Sequence, residues 1–425
     1  FLQRARHCFT ICGGEVMATP KLRFKEFDGD WTSKQLGKII GISSASRVFK
    51  EQWQDSGVPF FRTSDVVSIF KNKENEKAYI SLELFEELAK KSGKIKQGDL
   101  LVTGGGSIGI PYLVPNDQPL YFKDADLLWM KSSGIVEGSF LYNFFISPKF
   151  REYLKSISHT GTISHFTIEQ AKATPFGFPS KEEQTKIASF LSNVDEKISQ
   201  LTQKHALLSQ YKQGMMQKLF SQQIRFKADD GSKFGKWVNK KIIEIADYVD
   251  FRGKTPKKVD NGILLVTAKN IRFGYIDYEV SREYIGSDDF EEVMRRGCAK
   301  IGDVLITTEA PLGNVASVDR EDIALAQRVI KYRGKEGILN NAFLKQKFLS
   351  EDFQALIASK ATGGTVQGIK GSTLHNLEIY IPQDIEEQTK IANFLSSIDQ
   401  KIEVVAQQIE QAKQWKKGLL QQMFV

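Results

Sequence analysis

A long internal repeat constrains the fold of this chain more than any other feature. Residues 182–220 align without gaps on residues 386–424, and 19 of the 39 aligned positions are identical. The offset between the copies is 204 residues, from 182 to 386. Self-similarity at a fixed period indicates a duplicated structural unit, so we expect two related units in tandem.

Weaker similarity extends upstream of both copies at nearly the same offset. It is confined to glycines, apolar residues typical of strands and polar turn residues. The paired segments are SGVPFFRTSDV (56–66) with NGILLVTAKNI (261–271), GDLLVTGGGSIG (98–109) with GDVLITTEAPLG (302–313), and TGTISHF (160–166) with TGGTVQGI (362–369). We therefore expect the two repeated ends to have the same function. The diverged parts are expected to have the same kind of function, each with a different target.

These repeats predict five segments of the chain. Residues 1–16 have no counterpart later in the sequence, and we interpret them as leader or added residues outside the fold. The segments are residues 1–16 (leader), 17–180 (first globular domain), 181–220 (central repeated helix), 221–384 (second globular domain) and 385–425 (C-terminal repeated helix).

Each repeated end predicts one long helix with a narrow apolar seam. Apolar residues recur at alternating steps of three and four, which is typical of a coiled coil. The predicted seam residues are Ile187, Leu191, Val194, Ile198, Leu201, Leu208, Met215, Ile391, Leu395, Ile398, Ile402, Val405, Ile409 and Leu419. We expect the two helices to pair antiparallel as a rod of roughly 58 Å. The alternative is that each helix packs back on its own domain.

The globular domains read as α+β. Short apolar or alternating runs predict strands near VPFFRT, DLLVT and LLWMK in the first copy and ILLVTA, DVLITT and RVIKYR in the second. Helices are predicted around residues 81–91 and 140–157, and around residues 287–296 and 340–359.

Composition narrows the function classes. The chain is 41% hydrophobic and 26% charged, and its formal net charge of +8 favours a polyanionic partner such as nucleic acid. A run of eighteen apolar residues is absent from the sequence, so we expect no membrane span. The three cysteines form no CxxC pair, which predicts neither a disulfide framework nor a zinc site and suits a reducing cytoplasm.

The sequence contains two partial matches to enzyme motifs, and both are incomplete. GGGSIG (104–109) matches the dinucleotide-binding pattern in letters, but Pro111 follows it and a helix does not open there. Gly253-Lys254-Thr255 resembles the end of a phosphate-binding loop, but position 248 is tyrosine instead of glycine. The chain also lacks the Asn/Asp-Pro-Pro-aromatic motif of amino-methyltransferases. We therefore predict no catalytic residues and no metal site.

Polar and basic residues in the loops fit DNA contact instead. Arginine pairs well with guanine, asparagine and glutamine pair with adenine, and lysine or hydroxyl groups suit phosphates. Each residue taken singly is at least as compatible with a solvated surface role as with a base contact. The candidates are, in the first domain, Arg47, Lys50, Arg62, Thr63, Ser64, Ser107, Thr162, Ser164 and His165, and in the second Arg252, Lys254, Thr255, Lys257, Lys258, Lys269, Asn270, Arg272, Asn314, Gln327, Arg328, Thr365, Gln367 and Lys370.

Residues 20–425 resemble the specificity subunit of type I restriction-modification systems. The features that carry the resemblance are the doubled EEQTKIAxFLSxxDxKI helix, the GD-[LV]-[LV] strand, the RGKTP turn and the GGTVQGIK segment. The resemblance implies two target recognition domains held apart by an antiparallel coiled coil, each reading half of an asymmetric bipartite DNA site.

The resemblance also implies partners. Two modification (methyltransferase) subunits would dock on the helices and bind S-adenosylmethionine, and restriction subunits would hydrolyse ATP with Mg²⁺ and cut DNA. This chain would bind neither cofactor and would act in a bacterial or archaeal cytoplasm.

Three other readings stay open from the sequence. The chain could serve a related system in which one partner carries both methylation and cleavage. It could be a coiled-coil scaffold with two heads that do not bind DNA. A self-sufficient methyltransferase is the third reading, against which the missing motifs argue.

Overall fold

The computed structural model describes residues 2–4, 10–12, 15–17, 19–157, 165–251 and 256–425. The chain divides into two compact units. Unit 1 comprises residues 1–202 and 407–425, and unit 2 comprises residues 203–406. Because this division falls within both repeated helices, each unit contains one globular part and a portion of each long helix. The five segment boundaries drawn from the sequence stay predictions.

The described part of residues 2–220 contains short strands and six α-helices. Two 3₁₀ turns, Leu36–Lys38 and Lys50–Gln52, lie between them. The strands are β1 Leu2–Arg4, β2 Thr10–Cys12, β3 Glu15–Met17, β4 Leu22–Phe24, β5 Thr32–Gln35, β6 Gly41–Ser43, β7 Val58–Phe61, β8 Tyr79–Ile80, β9 Leu100–Thr103, β10 Pro111–Leu113, β11 Tyr121–Phe122, β12 Leu127–Lys131 and β13 Pro175–Phe178. The helices are α1 Thr63–Phe70, α2 Leu82–Ser92, α3 Gly138–Ile146, α4 Pro148–Ser156, α5 Ile168–Ala173 and α6 Lys181–Phe220.

The second repeat follows a similar order of elements. Its strands are β14 Trp237–Lys241, β15 Ala246–Asp250, β16 Lys258–Val259, β17 Ile263–Val266, β18 Tyr284–Ile285, β19 Val304–Thr308, β20 Leu312–Ser317, β21 Ile323–Leu325, β22 Val329–Gly334 and β23 Glu378–Pro382. The helices are α7 Ile242–Ile245, α8 Phe290–Val293, α9 Asn341–Leu349, α10 Glu351–Lys360, α11 Gly371–His375 and α12 Ile385–Met423, with a 3₁₀ turn at Ser287–Asp289. No helix corresponding to α1 lies between β17 and β18, a stretch that the structure describes in full, and a strand, β16, is added.

The two globular parts share one sheet topology. Unit 1 has an antiparallel sheet in the order β10-β9-β12-β6, and unit 2 has the matching order β20-β19-β22-β15. A second sheet, β11-β7-β8 in unit 1, corresponds to β21-β17-β18 in unit 2, where β16 adds a fourth strand. In each of these second sheets one pair of strands is parallel, namely β11 with β7 in unit 1 and β21 with β17 in unit 2. The predicted α+β class is confirmed, and the sequence similarity reflects a shared backbone frame.

The central antiparallel sheets are covered on both faces, which explains their continuously apolar strands. Along β9, Leu100 and Val102 belong to one hydrophobic cluster and Leu101 to another. Because successive side chains of a strand point to opposite faces, a strand between two cores is apolar at every position. In unit 2, Val304 and Leu305 of β19 divide between two clusters in the same way.

Two helices predicted as continuous are each broken in two. Residues 140–157 form α3 and α4, separated at Ser147, whose Oγ accepts a hydrogen bond from the backbone N–H of Phe150. Pro148 follows as the first residue of α4, and proline lacks the N–H that would continue α3. Residues 340–359 break at the equivalent Ser350, which is extended. The sequence prediction missed both breaks.

The helix predicted over residues 287–296 is also much shorter in the structure. It consists of a 3₁₀ turn and the four-residue helix α8, whereas α2, its counterpart in unit 1, has eleven residues. Helix α2 buries Phe85, Leu88 and Ala89 along one side. In the second copy Met294 is buried, but Phe290 and Val293 are only half-buried. A weaker apolar stripe therefore supports a shorter helix.

The first turn of α6 is fastened to its globular part by a buried ion pair. Arg23 donates from Nε and Nη2 to the carboxylate of Glu183, at 2.8 and 2.7 Å, and Trp31 donates from its indole N–H to the same carboxylate at 3.4 Å. Glu183 is 1% exposed. The same three residue types meet in unit 2, namely Arg225, Trp237 and Glu387.

The glutamine that follows each buried glutamate forms a second tie. Gln184 accepts from the backbone N–H of Glu137 and donates to the carbonyl oxygens of Ile135 and Pro179. Gln388 makes the equivalent three bonds in unit 2, with Asn340, Ile338 and Pro382. The identical EEQ segments thus join each long helix to the strand and loop that precede it.

The aspartate of each GD motif is likewise structural. Asp99 is buried and accepts from the backbone N–H of Lys96 and the indole of Trp129. Its counterpart Asp303 accepts from the backbone N–H of Lys300 and from the guanidinium of Arg333. The preceding glycines have φ of +86° and +88°, a conformation that glycine adopts without steric cost.

The outer turns of both long helices belong to the globular cores. Ile187 and Leu191 of α6, and Leu419 and Met423 of α12, share one hydrophobic cluster with Phe140 and its neighbours in unit 1. In unit 2, the C-terminal end of α6 and the N-terminal end of α12 join a corresponding cluster. The two long helices run antiparallel within each unit, and their ends also pack on the domains.

Candidate nucleic-acid interface

Three loops meet at one place in unit 1. The backbone N–H of Gly104 donates to the carbonyl of Asp126 at 2.7 Å, and that of Phe166 donates to the carbonyl of Gly104 at 2.7 Å. Gly105 and His165 form an isolated β-bridge. Residues 104–107, 124–126 and 165–166 therefore make up a single surface, which we call the loop cluster of unit 1.

The same backbone bonds build a loop cluster in unit 2. Thr308 donates to the carbonyl of Arg328 at 2.9 Å, and Ile369 donates to the carbonyl of Thr308 at 3.0 Å. Glu309 bridges Gly368 as Gly105 bridges His165. This second loop cluster comprises residues 308–312, 326–328 and 362–370. It lines an open cleft of about 480 Å³.

Both loop clusters contain backbone in the left-handed region. Among the described residues, five non-glycine residues have positive φ, and three of them lie in the loop clusters: Ala125 (+59°), Ala310 (+46°) and Arg328 (+69°). Such conformations cost about 1–3 kcal/mol each and are concentrated at ligand-binding sites. The surrounding backbone hydrogen bonds hold them in place, so the loops are preorganised.

Among the residues that the structure describes, seven of the predicted DNA contacts lie in these clusters. Ser107 and His165 are exposed in unit 1. In unit 2 Gln327 is half-buried, and the remaining four are exposed: Arg328, Thr365, Gln367 and Lys370. The structure thus brings together predicted residues from two separate segments of each repeat. Their contact with DNA stays a prediction.

Helix α1 begins beside the cluster of unit 1, where the sequence predicted a loop. Thr63 is the first residue of α1, and its Oγ1 lies 3.5 Å from the carbonyl oxygen of Asp126. Ser64 is exposed and accepts from the side-chain amide of Asn75. The hydroxyl groups of Thr63 and Ser64 therefore lie at the N-terminus of a helix, where backbone N–H groups favour anions.

The guanidinium of Arg62 is committed to the fold. Its Nε and Nη2 donate to the carboxylate of Asp65 at 2.9 and 3.2 Å, Nη2 also donates to the carbonyl of Glu76, and the group lies over the ring of Trp53. The hydrogen bond to Asp65 raises the pKa of Arg62. This arrangement gives Arg62 a positioning role at the start of α1, and a base contact by it remains untested.

The prediction for Asn270 needs correction, because its side chain is 0% exposed. Its Oδ1 accepts from the backbone N–H and the hydroxyl of Thr267, and its Nδ2 donates to the carbonyls of Asp277 and Ser281. All the polar capacity that an adenine would need is therefore used within the loop. Asn270 holds this loop together and is not available to a base.

The remaining candidates that the structure describes lie outside the loop clusters. Arg47 and Lys50 are exposed, and the guanidinium of Arg47 lies 5.3 Å from the ring centre of Phe49. In unit 2, Lys257 and Lys269 are exposed. Three other candidates there have protein partners: Lys258 pairs with Glu283, Arg272 lies 3.6 Å from Asp277, and Asn314 donates to the carbonyl of Ile271. Thr162, Ser164, Arg252, Lys254 and Thr255 lie outside the described residues.

Sequence reasoning missed charged residues of the loop clusters, among them Glu309 and Asp126. Glu309 lies in the cleft of unit 2, with its carboxylate 3.6 Å from Nη2 of Arg328. Asp126 occupies the place of Arg328 in unit 1 and pairs with Lys123 at 2.7 Å. The repeat alignment contains a signal for Glu309, because it replaces Gly105 within the GD-strand segment.

The long helices are tied to each other by a repeated ion pair. In unit 1 Asp195 of α6 accepts from Lys416 of α12 at 2.6 Å, and in unit 2 Lys212 of α6 pairs with Asp399 of α12 at 2.7 Å. These four residues occupy equivalent positions of the two copies. The predicted seam residues lie beside them. Nine are buried and five half-buried, the latter being Ile198, Leu208, Met215, Ile402 and Ile409.

Another set of identical helix residues faces outward. In α6 it consists of Gln203, Gln210, Gly214 and Gln217. The spacing of three, four or seven residues places them on one side of the helix. The glutamines are exposed, and a Cβ added at Gly214 would meet no described atom within 4 Å. Their counterparts in α12 are Gln407, Gln414, Gly418 and Gln421, and we call each set a glutamine–glycine stripe.

Comparison with known proteins identifies the family. The chain matches the family described as the Type I restriction modification DNA specificity domain over residues 28–210 and again over residues 235–414. These two matches cover most of the chain and correspond to its two repeats. The chain belongs to the type I restriction-modification DNA specificity family, as a specificity subunit with two recognition domains in tandem.

Relatives and solved structures of the same class resemble the chain along most of its length. The MjaVIII specificity subunit of Methanocaldococcus jannaschii is 27% identical over 66% of this chain and 68% of its own. The putative MjaX specificity subunit of that organism is 24% identical over 94% of each chain. The S subunit of M. genitalium has a similar fold, with a TM-score of 0.57, 16% identity and coverage of 96% and 99%.

Two general features of the described residues complete the picture. A helix long and apolar enough to cross a membrane is not found among them. They also contain no group of three or more histidine, cysteine, aspartate or glutamate side chains arranged to hold a metal ion.

Proposed function

We propose that each recognition domain reads one half of a gapped, bipartite sequence in double-stranded DNA. The observation that carries this proposal is the pair of loop clusters. They share backbone hydrogen bonds, but different polar side chains occupy equivalent positions. Such a design suits one mode of docking applied to two different sequences, because base edges are distinguished by hydrogen-bonding side chains.

We propose further that the long helices set the spacing between the half-sites and dock two modification subunits. A stripe that is identical in two otherwise diverged repeats suits two copies of one partner. The glycine in each stripe supports this, since glycine destabilises a helix interior by about 0.5–1 kcal/mol relative to alanine. A partner backbone that approaches closely at Gly214 and Gly418 accounts for retaining them.

In this proposal catalysis belongs to the partners. The modification subunits bind S-adenosylmethionine and methylate the DNA, and restriction subunits that use ATP and Mg²⁺ join the complex and cut it. This chain binds none of these cofactors and acts in the cytoplasm of a bacterium or archaeon.

Selection of DNA by the purified chain and by its complex with the modification subunit tests the reading of a bipartite site. A randomised duplex library should yield two short conserved blocks separated by a spacer of fixed length. Binding should weaken steeply with added salt, because phosphate contacts release counterions. Enrichment of no sequence by either preparation would contradict the proposal and favour a scaffold without DNA-binding function.

The docking surface has a separate test. The double substitution Gly214→Arg and Gly418→Arg should abolish co-purification of the modification subunit and leave the thermal stability of the free chain unchanged or higher. The matched control is Lys204→Arg with Gln408→Arg, which places arginine at exposed equivalent positions outside the stripes. Retention of two bound partners by the glycine variant would refute this docking surface. A captured partner with both methylation and cleavage activity would indicate the related type of system.

A further inference from the structure

The charged pair in the loop cluster of unit 2 is suited to one particular base pair. Glu309 supplies a carboxylate that accepts hydrogen bonds, and Arg328 supplies a guanidinium that donates them. The two groups lie 3.6 Å apart, and their side chains are 41% and 55% exposed. An exposed pair of this kind contributes little to stability, which leaves both groups available for a ligand.

A C·G base pair presents the complementary groups side by side in the major groove. Cytosine offers its N4 amino group as a donor, and guanine offers O6 and N7 as acceptors. Because N4 and O6 are hydrogen-bonded to each other, they lie about 2.9 Å apart. A protein acceptor and a protein donor separated by 3.6 Å match this arrangement in both order and spacing.

We propose that Glu309 and Arg328 together read one C·G base pair of the half-site bound by unit 2. The carboxylate of Glu309 accepts from cytosine N4, and the guanidinium of Arg328 donates to guanine O6 and N7. This assignment deepens the DNA-reading function proposed above and rests on it.

The surrounding backbone holds the two side chains at this place. Arg328 has φ of +69° and Ala310, next to Glu309, has φ of +46°. The carbonyl of Arg328 accepts from Thr308, and Glu309 bridges Gly368 in the adjoining segment. Two side chains mounted on three mutually bonded segments lose little conformational freedom on binding, which favours discrimination between bases.

Unit 1 shares the backbone hydrogen bonds of this frame without the pair, and its residue with positive φ is Ala125, one position before Asp126. Gly105 and Asp126 occupy the positions of Glu309 and Arg328, so neither of these two positions carries a guanidinium to read guanine. Asp126 instead offers a carboxylate beside Lys123. The half-site of unit 1 should therefore lack the C·G preference at the equivalent position.

The test compares the intact chain with its Glu309→Ala variant in selection from a randomised duplex library. The wild-type chain should require C·G at one position of one half-site. The variant should lose discrimination at that position by roughly tenfold to a hundredfold, while the other half-site and the spacer stay unchanged. Glu336→Gln, an exposed carboxylate outside the loop cluster, is the matched control and should leave the whole consensus unchanged.

A transplant gives an independent, positive readout. Gly105 does not have positive φ, and the atom that a Cβ would crowd there is Oδ1 of Asp126, at 3.1 Å. The double variant Gly105→Glu with Asp126→Arg removes this conflict and installs the pair in unit 1. It should create a new C·G requirement in the half-site of unit 1.

The outcomes separate this assignment from the broader function. A bipartite consensus that Glu309→Ala leaves intact, or one without C·G at the affected position, overturns the assignment and leaves the DNA-reading function standing. Failure of the wild-type chain and its complex to select any sequence contradicts the broader function itself.

Discussion

At the scale of single residues, buried polar groups account for much of the repeated sequence. Glu183 and Glu387 occupy the same place in the two repeats, but the side chain of their arginine partner is 5% exposed in unit 1 and 27% exposed in unit 2. Removing one partner of a buried ion pair leaves the other charge without compensation. We therefore expect the stability of the protein to depend more strongly on Glu183 than on Glu387.

Glu183→Gln should lower the free energy of unfolding by about 3–5 kcal/mol, and Glu387→Gln should cost less, because water can solvate Arg225. Urea unfolding followed by circular dichroism measures both effects. The neighbouring Glu182→Gln and Glu386→Gln are controls at exposed positions and should change stability by less than about 0.5 kcal/mol. Equal losses for the two buried glutamates would show that exposure of the arginine does not matter.

Asn270→Ala separates a structural residue from a DNA-reading one. The substitution leaves buried partners of the Asn270 amide without hydrogen bonds, so we expect destabilisation of about 2–4 kcal/mol. The selected DNA consensus should be unchanged at a temperature where the variant is folded. A changed base preference with unchanged stability would restore Asn270 as a base contact.

At the scale of elements, the long helices combine three kinds of position. Some side chains fasten the helix to a domain, some form the seam and the cross-helix ion pairs, and the glutamine–glycine stripes face outward. Identity between the repeats arises from all three. The sequence alone therefore cannot separate residues retained for folding from residues retained for a partner.

Replacement of the stripe glycines should make the free chain more stable. Gly214→Ala and Gly418→Ala should each raise the free energy of unfolding by about 0.5–1 kcal/mol, because alanine restricts the unfolded chain and favours the helix. The matched control Ala206→Gly, at an exposed position of α6, should lower it by a similar amount. A loss of stability in the alanine variants would reveal an internal role for the glycines.

At the scale of the whole molecule, the proposal that the long helices set the spacing between the half-sites can be tested by removing one heptad from each helix. Deleting residues 199–205 from α6 and 403–409 from α12 preserves the phase of the seam and removes about 10 Å from each helix. The spacer of the selected DNA should shorten by about three base pairs. A spacer of unchanged length in the deletion variant would show that the helices do not set the spacing between the half-sites.

Much of the architecture follows from local pattern. The bounds of α6 and α12 agree with the repeat to within a residue, and β9, β12, β19 and β22 lie where apolar runs predict them. The break at Ser147 was missed although Pro148 signals it locally, whereas the break at Ser350 has no proline beside it and depends on the extended backbone of that serine.

The duplication, the long amphipathic helices, the α+β class and the polar character of the loops can all be inferred from the amino-acid sequence. These features depend on residues close together in the chain, so periodicity and composition reveal them. The tertiary structure decided which polar residues are available to a ligand. Asn270 and Arg62 are engaged within the protein, whereas Glu309, which sequence reasoning passed over, lies in an open cleft beside Arg328. This choice depends on hydrogen bonds between distant segments and on burial, which a linear pattern does not encode.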